Sequence, residues 1–269
     1  MYLKHFGFKR KPFVSVPDHR ELFQTRGHQE ARSRLKIALN DQVPSLLLGD
    51  SGVGKSTSSR SALAELDKRA YRLIEIPDPR LELRSFYRIL ATGLGLQPRF
   101  FFGDLAEQVR EALAQAAKSG RHPVLYVDDA QMLNEHTLDS LRLLTNPLLD
   151  QSKSGITLLL VGDMTLGQRL RRPRFEAFVQ RLRMTYRMAP VDEEEGRRYV
   201  AHRLRTAGAN PDVFDPAAVD QLLAASNGRL RKIDDLCVQL LYAAFIAKAK
   251  VVSQEHVELV LAERTLDDA

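Results

Sequence analysis

The sequence predicts an α/β fold in which a five-stranded parallel sheet is followed by a small all-helical domain. Through residue 188, short apolar runs that end in Gly or Asp alternate with stretches of helical periodicity. Past Pro190, four helical patterns follow one another with no further strand pattern. The 269 residues, 44% of them hydrophobic, are enough for two unequal cores. We therefore expect an α/β domain over residues 1–190 and a helical domain over residues 191–269.

Composition narrows the function classes before any motif is considered. No apolar run approaches membrane-spanning length, and the first residues lack the apolar core of a signal peptide, so we expect a cytoplasmic protein with no membrane partner. The single cysteine, Cys237, excludes an internal disulfide and lies among leucines, which predicts a buried side chain. The net charge of +6 permits a polyanionic partner without proving one.

A basic, aromatic lead-in opens the chain over residues 1–27. Proline and aspartate at Pro12, Pro17 and Asp18 predict an extended path, and helical spacing begins near His28 and runs to Asn40. Aromatics among basic residues could contact nucleic acid, but we favour packing of the aromatics onto the α/β body and leave the role of the charges open. The aromatic residues concerned are Phe6, Phe8, Phe13 and Phe23.

A glycine-rich stretch between the first strand and the next helix fits the phosphate-binding loop pattern G-x-x-x-x-G-K-[ST]. Its glycines allow backbone conformations in which successive N–H groups turn towards a phosphate, and the following helix adds its positive end. Lys55 is expected to reach the outer phosphates and the Ser56 hydroxyl to ligate magnesium. The predicted nucleotide-binding residues are Gly49, Asp50, Ser51, Gly52, Val53, Gly54, Lys55, Ser56 and Thr57, and the helix is expected over 55–68.

Two further strands are predicted over 71–76 and 123–127, separated by helices around 85–93 and 104–119. The later strand ends in Asp128 and Asp129, which could be a simple turn. After a phosphate-binding loop, however, such a strand is expected to carry the magnesium-side acid, here Asp128. Asn134 is expected to cap the next helix, which Asn146 and Pro147 would end.

A fourth strand over 156–161 is followed by Asp163, whose side chain is expected near the γ-phosphate, between the other two strand ends. Residues 169–187 then hold seven arginines against one acid, a bias that favours phosphate binding over an ordinary solvated surface. A fifth strand is predicted over 184–188, and four helices are predicted to begin near Asp192, Asp215, Leu230 and Ser253.

In this order the motifs resemble those of AAA+ ATPases, specifically the ExeA-like and transposition-helper branch that includes TnsC, MuB and IstB relatives. The resemblance covers nearly the whole chain. The matching stretches, beyond the loop at 49–56, are Phe6-Gly7-Phe8, Lys11-Pro12-Phe13, Pro17-Asp18, Val127-Asp128-Asp129-Ala130-Gln131-Met132-Leu133, Leu160-Val161-Gly162, Gln180-Arg181-Leu182, His202-Arg203-Leu204, Ala207-Gly208, Asn227-Gly228-Arg229-Leu230-Arg231-Lys232-Ile233 and Leu236-Cys237.

The resemblance implies roles for residues that spacing alone would not single out. Arg181 matches the arginine finger that reaches the ATP of a neighbouring subunit, with Arg174 as a fallback, and Arg231 matches the lid sensor of the γ-phosphate. Asp163 matches the sensor on the fourth strand, although a neutral polar residue is commoner there. Asp129 stands where a glutamate usually positions the attacking water, so we expect slow hydrolysis.

Two functions are compatible with this resemblance. The first is an ATP- and Mg²⁺-dependent regulator that oligomerises on double-stranded DNA, as a ring or filament, and recruits a transposase with target-selection proteins. Its expected DNA-backbone contacts are Arg80, Arg84 and Arg99. The second is a secretion-assembly ATPase like ExeA, which carries a membrane span and a cell-wall-binding segment after its ATPase body. The end of this chain at Ala269 and its basic balance make the first our expectation.

Overall fold

The computed structural model describes residues 1–14, 21–119, 121–145 and 155–267. Their contacts divide the chain into two units. The sheet unit contains His28–Gly49 and Lys55–Met188, and the helical unit contains Met1–Gly27, Asp50–Gly54 and Ala189–Ala269. Pro17, Asp18, Asn146 and Pro147, all named in the sequence predictions, lie outside the described residues.

Five parallel strands form the sheet, as the sequence predicts. The strands are β1 (Ser45–Gly49), β2 (Tyr71–Ile76), β3 (His122–Val127), β4 (Thr157–Gly162) and β5 (Met184–Met188). Their spatial order is β2-β3-β4-β1-β5. The expected position of β4 between β1 and β3 is therefore confirmed, and the carboxyl ends of these three strands meet along one edge of the sheet.

Strand burial follows strand position. The central strands β1, β3 and β4 are buried at every residue, because helices cover both faces of a parallel sheet and such strands are nearly continuous runs of Val, Ile and Leu. The outer strands β2 and β5 alternate between buried or half-buried and exposed side chains along much of their length. This apolar centre fixes the three strand ends that carry the polar side chains discussed below.

Helices in the sheet unit follow the predicted rhythm, with shifted ends. They are α2 (Arg26–Asn40, whose first two residues belong to the helical unit), α3 (Lys55–Ala64), α4 (Leu83–Gly93), α5 (Phe102–Ser119), α6 (Glu135–Leu144), α7 (Met164–Leu170) and α8 (Glu176–Val179), after the short α1 (Tyr2–His5) of the other unit. Helix α3 ends before the predicted Lys68 because Asp67 starts a turn, in which its carboxylate accepts the N–H of Arg69 at 2.8 Å. The short helices α7 and α8 were not predicted.

Four longer helices make up most of the helical unit: α9 (Glu193–Thr206), α10 (Pro216–Ser226), α11 (Leu230–Ile246) and α12 (Gln254–Asp267). Asp192 caps α9 as predicted, accepting the N–H of Glu195 at 2.8 Å. In a full capping box the Glu195 carboxylate would accept the N–H of Asp192. Here it accepts the N–H of Arg26 at 2.7 Å instead, which joins the lead-in to the helices. Cys237 is fully buried, as expected.

The lead-in packs in a different place from the one the sequence suggested. Residues 1–27 were expected to belong to the α/β domain, but Phe6, Phe8 and Phe13 are buried in the core of the helical unit. The physical reason is a buried arginine: Nε and Nη2 of Arg203 donate to the carbonyls of Pro12 at 2.9 Å and Val14 at 2.8 Å. Helical periodicity could not reveal this, since the contacts join residues about 190 positions apart.

Within the described ranges, the structure contains no helix that is both long enough and apolar enough to cross a membrane.

Candidate nucleotide-binding site

Lys55 stands at the first position of α3, where the glycine-rich loop returns to the sheet unit. Its side chain is 9% exposed, and Nζ donates to the carbonyl of Gly49 at the end of β1, 2.9 Å away. Ser56 is exposed and Thr57 half-buried beside it. The lysine therefore lies where a strand end and a helix N-terminus converge, which is the arrangement that binds phosphate in such folds.

The loop residues Asp50–Gly54 belong to the helical unit. Gly52 and Gly54 have φ values of +84° and +100°, in the left-handed region that favours glycine. Val53 is buried, and Ser51 is exposed. The backbone thus adopts the glycine-dependent shape that the sequence pattern predicts.

The start of α11 rests directly on this loop. The N–H of Arg231 donates to the carbonyl of Gly52 at 3.1 Å, and a Cβ added to Gly52 would lie 2.9 Å from Cβ of Arg231. Arg229 approaches Asp50 to 4.0 Å. The Arg231 side chain itself is exposed. The family resemblance singled out Arg231 in the sequence. The close contact of Arg231 with Gly52 and the approach of Arg229 to Asp50 appear only in the structure.

At the end of β3, Asp128 is half-buried and Asp129 is exposed. The N–H of Asp129 donates to Oδ1 of Asp128 at 3.0 Å. Asp129 has φ +48° and ψ +39°, a left-handed conformation that is uncommon outside glycine, asparagine and aspartate. Its Oδ1 accepts a hydrogen bond from Nε2 of Gln131 at 3.1 Å. The two acids therefore differ in environment although they are neighbours in sequence.

A tyrosine that sequence reasoning missed lies on the core side of Asp128. The Tyr126 hydroxyl lies 2.9 Å from Oγ of Ser59, and the charge of Asp128 acts on it. Burial raises the pKa of Tyr126, and the Asp128 charge raises it further. Oγ of Ser59 also donates to the carbonyl of Ser56 at 3.1 Å. Hydrogen bonds thus run from Ser56, the residue on α3 that is expected to ligate magnesium, to Tyr126 on β3.

Asp163, at the end of β4, is the N-cap of α7. Its Oδ1 accepts the N–H of Thr165 at 2.8 Å, the hydroxyl of Thr165 at 2.5 Å and the N–H of Leu166 at 3.4 Å. Burial raises the pKa of Asp163, but these hydrogen bonds and the Lys55 charge outweigh it, so the pKa is below its usual value. The acid at this position has a structural cause: a helix begins there, and aspartate is a favoured cap.

These residues fit a nucleoside triphosphate with magnesium. Gly52 and Gly54 give the loop the positive φ values that allow backbone N–H groups to turn towards a phosphate. A serine hydroxyl and a carboxylate are the oxygen donors that Mg²⁺ prefers, usually together with phosphate oxygens and water. Lys55 supplies positive charge beside them. The donor set is therefore the one expected for this ligand.

Most arginines of the run after β4 form hydrogen bonds or ion pairs within the sheet unit. Nη1 of Arg181 donates to the carbonyl of Arg142 at 3.1 Å, and Nη1 of Arg169 donates to the carbonyl of Gln131 at 2.6 Å. Arg172 pairs with Glu135, and Arg174 pairs with both Glu135 and Asp139. At least four of the seven arginines thus hold the fold together, which weakens the general expectation that the run binds phosphate. The role of Arg181 as a finger stays a prediction.

Of the three arginines predicted to contact DNA, Arg84 contacts the exposed Phe100 and Arg99 directly precedes it in sequence. Nη2 of Arg84 donates to the carbonyl of Phe100 at 2.5 Å, and its guanidinium lies 4.9 Å from the centre of the Phe100 ring. Phe100 and Phe101 are 72% and 70% exposed. Arg80 is instead held by both carboxylate oxygens of Asp78 at 3.0 Å.

Comparisons with known proteins agree with this geometry. Residues 40–170 match the family model described as AAA domain. The chain is 32% identical over 248 residues to general secretion pathway protein A of Aeromonas hydrophila, covering 91% of this chain and 45% of that protein. The chain therefore spans less than half the length of this relative.

Solved structures share the fold at low sequence identity. The Aeropyrum pernix ORC1 protein in complex with DNA is 21% identical, with a TM-score of 0.66 over 94% of this chain and 69% of that one. Drosophila ORC bound to DNA is 20% identical, with a TM-score of 0.66 over 95% of this chain and 64% of that one. The Thermotoga maritima RuvB branch-migration motor is 15% identical, with a TM-score of 0.58 over 94% and 73%.

The fold is the five-stranded P-loop AAA+ fold, and residues 40–170 match the AAA domain model. Within that fold, the sequence match is to an ExeA-type protein, the general secretion pathway protein A. The TnsC, MuB and IstB branch of the resemblance stays a prediction, so the particular role of this chain is a matter for proposal.

Proposed function

We propose that this chain is a slow ATPase that binds ATP at residues 49–57 and uses it as a signal to assemble on duplex DNA. The observation that carries the proposal is the convergence of Lys55, Asp128, Asp129 and Asp163 at the adjoining ends of β1, β3 and β4, beside a glycine-shaped loop. Such a set provides phosphate binding, metal ligation and water positioning in one place.

Each side chain then has a distinct task. Lys55 would contact the β- and γ-phosphates in place of the Gly49 carbonyl, and Ser56 and Asp128 would hold magnesium, which would neutralise charge on the phosphate oxygens. Tyr126, which is held by Ser59, lies beside the Asp128 carboxylate. Asp129 orients the attacking water. Asp163 lies near the γ-phosphate and caps the first turn of α7, so it couples the phosphate to this helix.

Slow turnover follows from the residue at position 129. Its carboxylate is one methylene shorter than the usual glutamate, and one oxygen is already bonded to Gln131. We expect a kcat below about 1 s⁻¹, at the low end of the enzyme range. ATP would then mark an assembled state for seconds or longer before hydrolysis ends it.

Assembly places ATP between copies of this chain. In the proposed ring or filament, Arg181 reaches the γ-phosphate of the neighbouring subunit, and Arg231 closes on the phosphate of its own subunit. The bond between the Arg231 N–H and Gly52 supports the second role, because it fixes the start of α11 to the loop that binds phosphate. Arg174 is a weaker substitute for Arg181, since two carboxylates already hold it.

Duplex DNA is the proposed surface for assembly. Arg84 and Arg99 flank the exposed Phe100 tip, and one or two backbone contacts per subunit become strong when an assembly repeats them. The DNA named in the two ORC structures supports a DNA-bound role for this fold. A transposase and target-selection proteins are the partners that the resemblance implies. Arg80 contributes less, because Asp78 holds it.

The second candidate function is assistance in assembling a secretion system. The observation that favours it is the 32% identity to general secretion pathway protein A. Both candidates use the same ATP site, and DNA distinguishes them. A wild-type protein that binds ATP but ignores duplex DNA at low salt with a non-hydrolysable ATP analogue would favour the secretion role.

The test of the ATP site is Lys55→Ala, measured by calorimetric titration with ATP. Charge-assisted contacts are worth about 1.5–3 kcal/mol each, so we expect at least a tenfold loss of affinity. Lys68→Ala, an exposed lysine in the same unit, is the control and should bind normally. Unchanged affinity in Lys55→Ala would remove the basis of the proposal.

The DNA surface is tested with the double variant Arg84→Ala, Arg99→Ala and a non-hydrolysable ATP analogue. We expect weaker binding and a shallower salt dependence, while ATP affinity stays the same. Arg110→Ala removes an exposed arginine of α5 that pairs with Glu107, and it should leave DNA binding unchanged. Normal DNA coating by the double variant would exclude this surface.

A further inference from the structure

We propose that Gln131 is a positioning residue for hydrolysis, holding the Asp129 carboxylate in place and tying it to the end of β4. The inference deepens the proposed function, since it assumes that Asp129 orients the attacking water. Gln131 follows the two strand-end acids by two or three residues, in a short 3₁₀ turn over Ala130–Met132. The motif resemblance includes this residue but gives it no task.

The two ends of the Gln131 amide contact the two strand ends. Its Oε1 accepts the backbone N–H of Asp163 at 3.1 Å, and its Nε2 donates to Oδ1 of Asp129 at 3.1 Å. The first bond fixes which way the amide faces, because a backbone N–H needs an acceptor and only the oxygen of the amide can serve. The nitrogen must then point to the carboxylate. One side chain therefore bridges β3 and β4 beyond their last backbone contacts.

Two neighbouring groups hold Gln131 in this position. Nη1 of Arg169, on α7, donates to the Gln131 carbonyl at 2.6 Å. At the end of β4, a Cβ added to Gly162 would lie 3.0 Å from Oε1 of Gln131 and 2.6 Å from Cδ2 of Leu166. The amide thus occupies space that a glycine leaves open. Gln131 is half-buried, so its orientation is set by the protein more than by solvent.

This bridge explains how a short acid can serve at position 129. The left-handed backbone of Asp129 already restricts its side chain, and the bond from Gln131 fixes one carboxylate oxygen. The other oxygen keeps a defined direction for a water molecule. Because the same amide holds the Asp163 N–H, a shift of the β4 end would move the Asp129 carboxylate with it.

Two substitutions separate the parts of the bridge. Gln131→Ala removes both bonds. Gln131→Glu keeps an acceptor for the Asp163 N–H but offers no donor to Asp129. We expect kcat to fall about tenfold to one-hundredfold in both, as for outer partners of catalytic groups, while the Kd of a non-hydrolysable ATP analogue changes less than about twofold. Amide hydrogen exchange at Asp163 should speed up in Gln131→Ala and stay slow in Gln131→Glu.

A double-mutant cycle shows whether Gln131 acts through Asp129. In an Asp129→Asn background, Gln131→Ala should cost almost nothing further, because the carboxylate that it positions is gone. A purely structural role would give additive losses instead. Gln108→Ala is the matched control: the amide of this glutamine also makes two hydrogen bonds, but both are to backbone groups, the carbonyl of Gln97 at 2.9 Å and the N–H of Arg99 at 3.1 Å. Basal ATP turnover should not change in it.

The outcomes distinguish this inference from the proposed function. A wild type that does not bind or hydrolyse ATP overturns the proposed function. A wild type that hydrolyses ATP, together with an unchanged kcat in Gln131→Glu or additive losses in the cycle, overturns the role of Gln131 alone. If Gln131→Ala fails to fold, Gln131→Glu carries the test, since it preserves the bond to β4.

Discussion

Replacing Gly52 by alanine tests the contact between the phosphate-binding loop and the start of α11. Gly52 has a φ of +84°, and a left-handed conformation costs a residue with a Cβ about 1–2 kcal/mol. The added Cβ would also lie 2.9 Å from Cβ of Arg231, closer than carbon atoms normally approach, so the loop or the helix must move. We expect a total loss of about 2–3 kcal/mol in the free energy of unfolding.

Two measurements on Gly52→Ala check this expectation. Urea-induced unfolding gives the loss of stability, and calorimetric titration with ATP should show at least a tenfold weaker affinity, since the backbone that contacts phosphate has moved. The control is Gly103→Ala, at a glycine of α5 where an added Cβ meets no atom within 4 Å. That variant should be at least as stable as the wild type. If both variants bind ATP equally well, the close packing of Gly52 against Arg231 does not matter for binding.

Three further predictions concern hydrolysis, assembly and pH. Asp129→Glu should raise kcat in a steady-state ATPase assay if side-chain length limits turnover; fast turnover in the wild type would contradict this reasoning. Arg181→Ala should lose hydrolysis, about 10³-fold, and ATP-dependent assembly in sedimentation, yet bind ATP normally; a wild type that stays monomeric with ATP analogue and DNA would leave the finger without support. Burial raises the pKa of Asp234 from 3.8 to about 6, so the folded state binds the proton of this carboxyl more tightly than the unfolded state does. Its contribution to the free energy of unfolding therefore falls as the pH rises from about 4 to 6. In urea titrations, Asp234→Asn should lose that fall, worth up to about 3 kcal/mol, whereas Asp235→Asn, an exposed neighbour, should keep it.

Local sequence patterns predicted the sheet and the strand-end acids because their causes are local. An apolar run such as Leu46–Leu48 needs burial, a glycine-rich loop needs its positive φ values, and a helix needs a cap. The five strands were therefore placed to within about a residue, and Asp128, Asp129 and Asp163 were assigned to the correct strand ends. The AAA+ resemblance extended this to Arg231, whose contact with Gly52 no pattern of spacing would give.

Long-range contacts explain most of what was missed. The sequence around the lead-in phenylalanines does not indicate which of the two cores buries them. Their position depends on Arg203, which donates to carbonyls about 190 positions away. The arginine run seemed suited to phosphate because its composition is visible in sequence, whereas the acids that occupy it, Glu135 and Asp139, lie in a different helix. In the sequence, Tyr126 is one more apolar residue of its strand, whereas in the structure its hydroxyl lies beside Asp128.

The two acids that depart from the usual AAA+ pattern have different structural causes, and this bears on what ATP does here. Asp163 caps α7 through three hydrogen bonds, so its carboxylate is already engaged by the protein itself. Asp129 is short and bonded to Gln131, which itself holds the Asp163 backbone. A γ-phosphate that disturbs Asp163 would therefore act on α7 and on Asp129 together. Such coupling suits an ATPase in which bound ATP first changes the assembly surface and is hydrolysed only slowly afterwards, and Asp129→Glu separates these two effects because it alters hydrolysis without touching the cap.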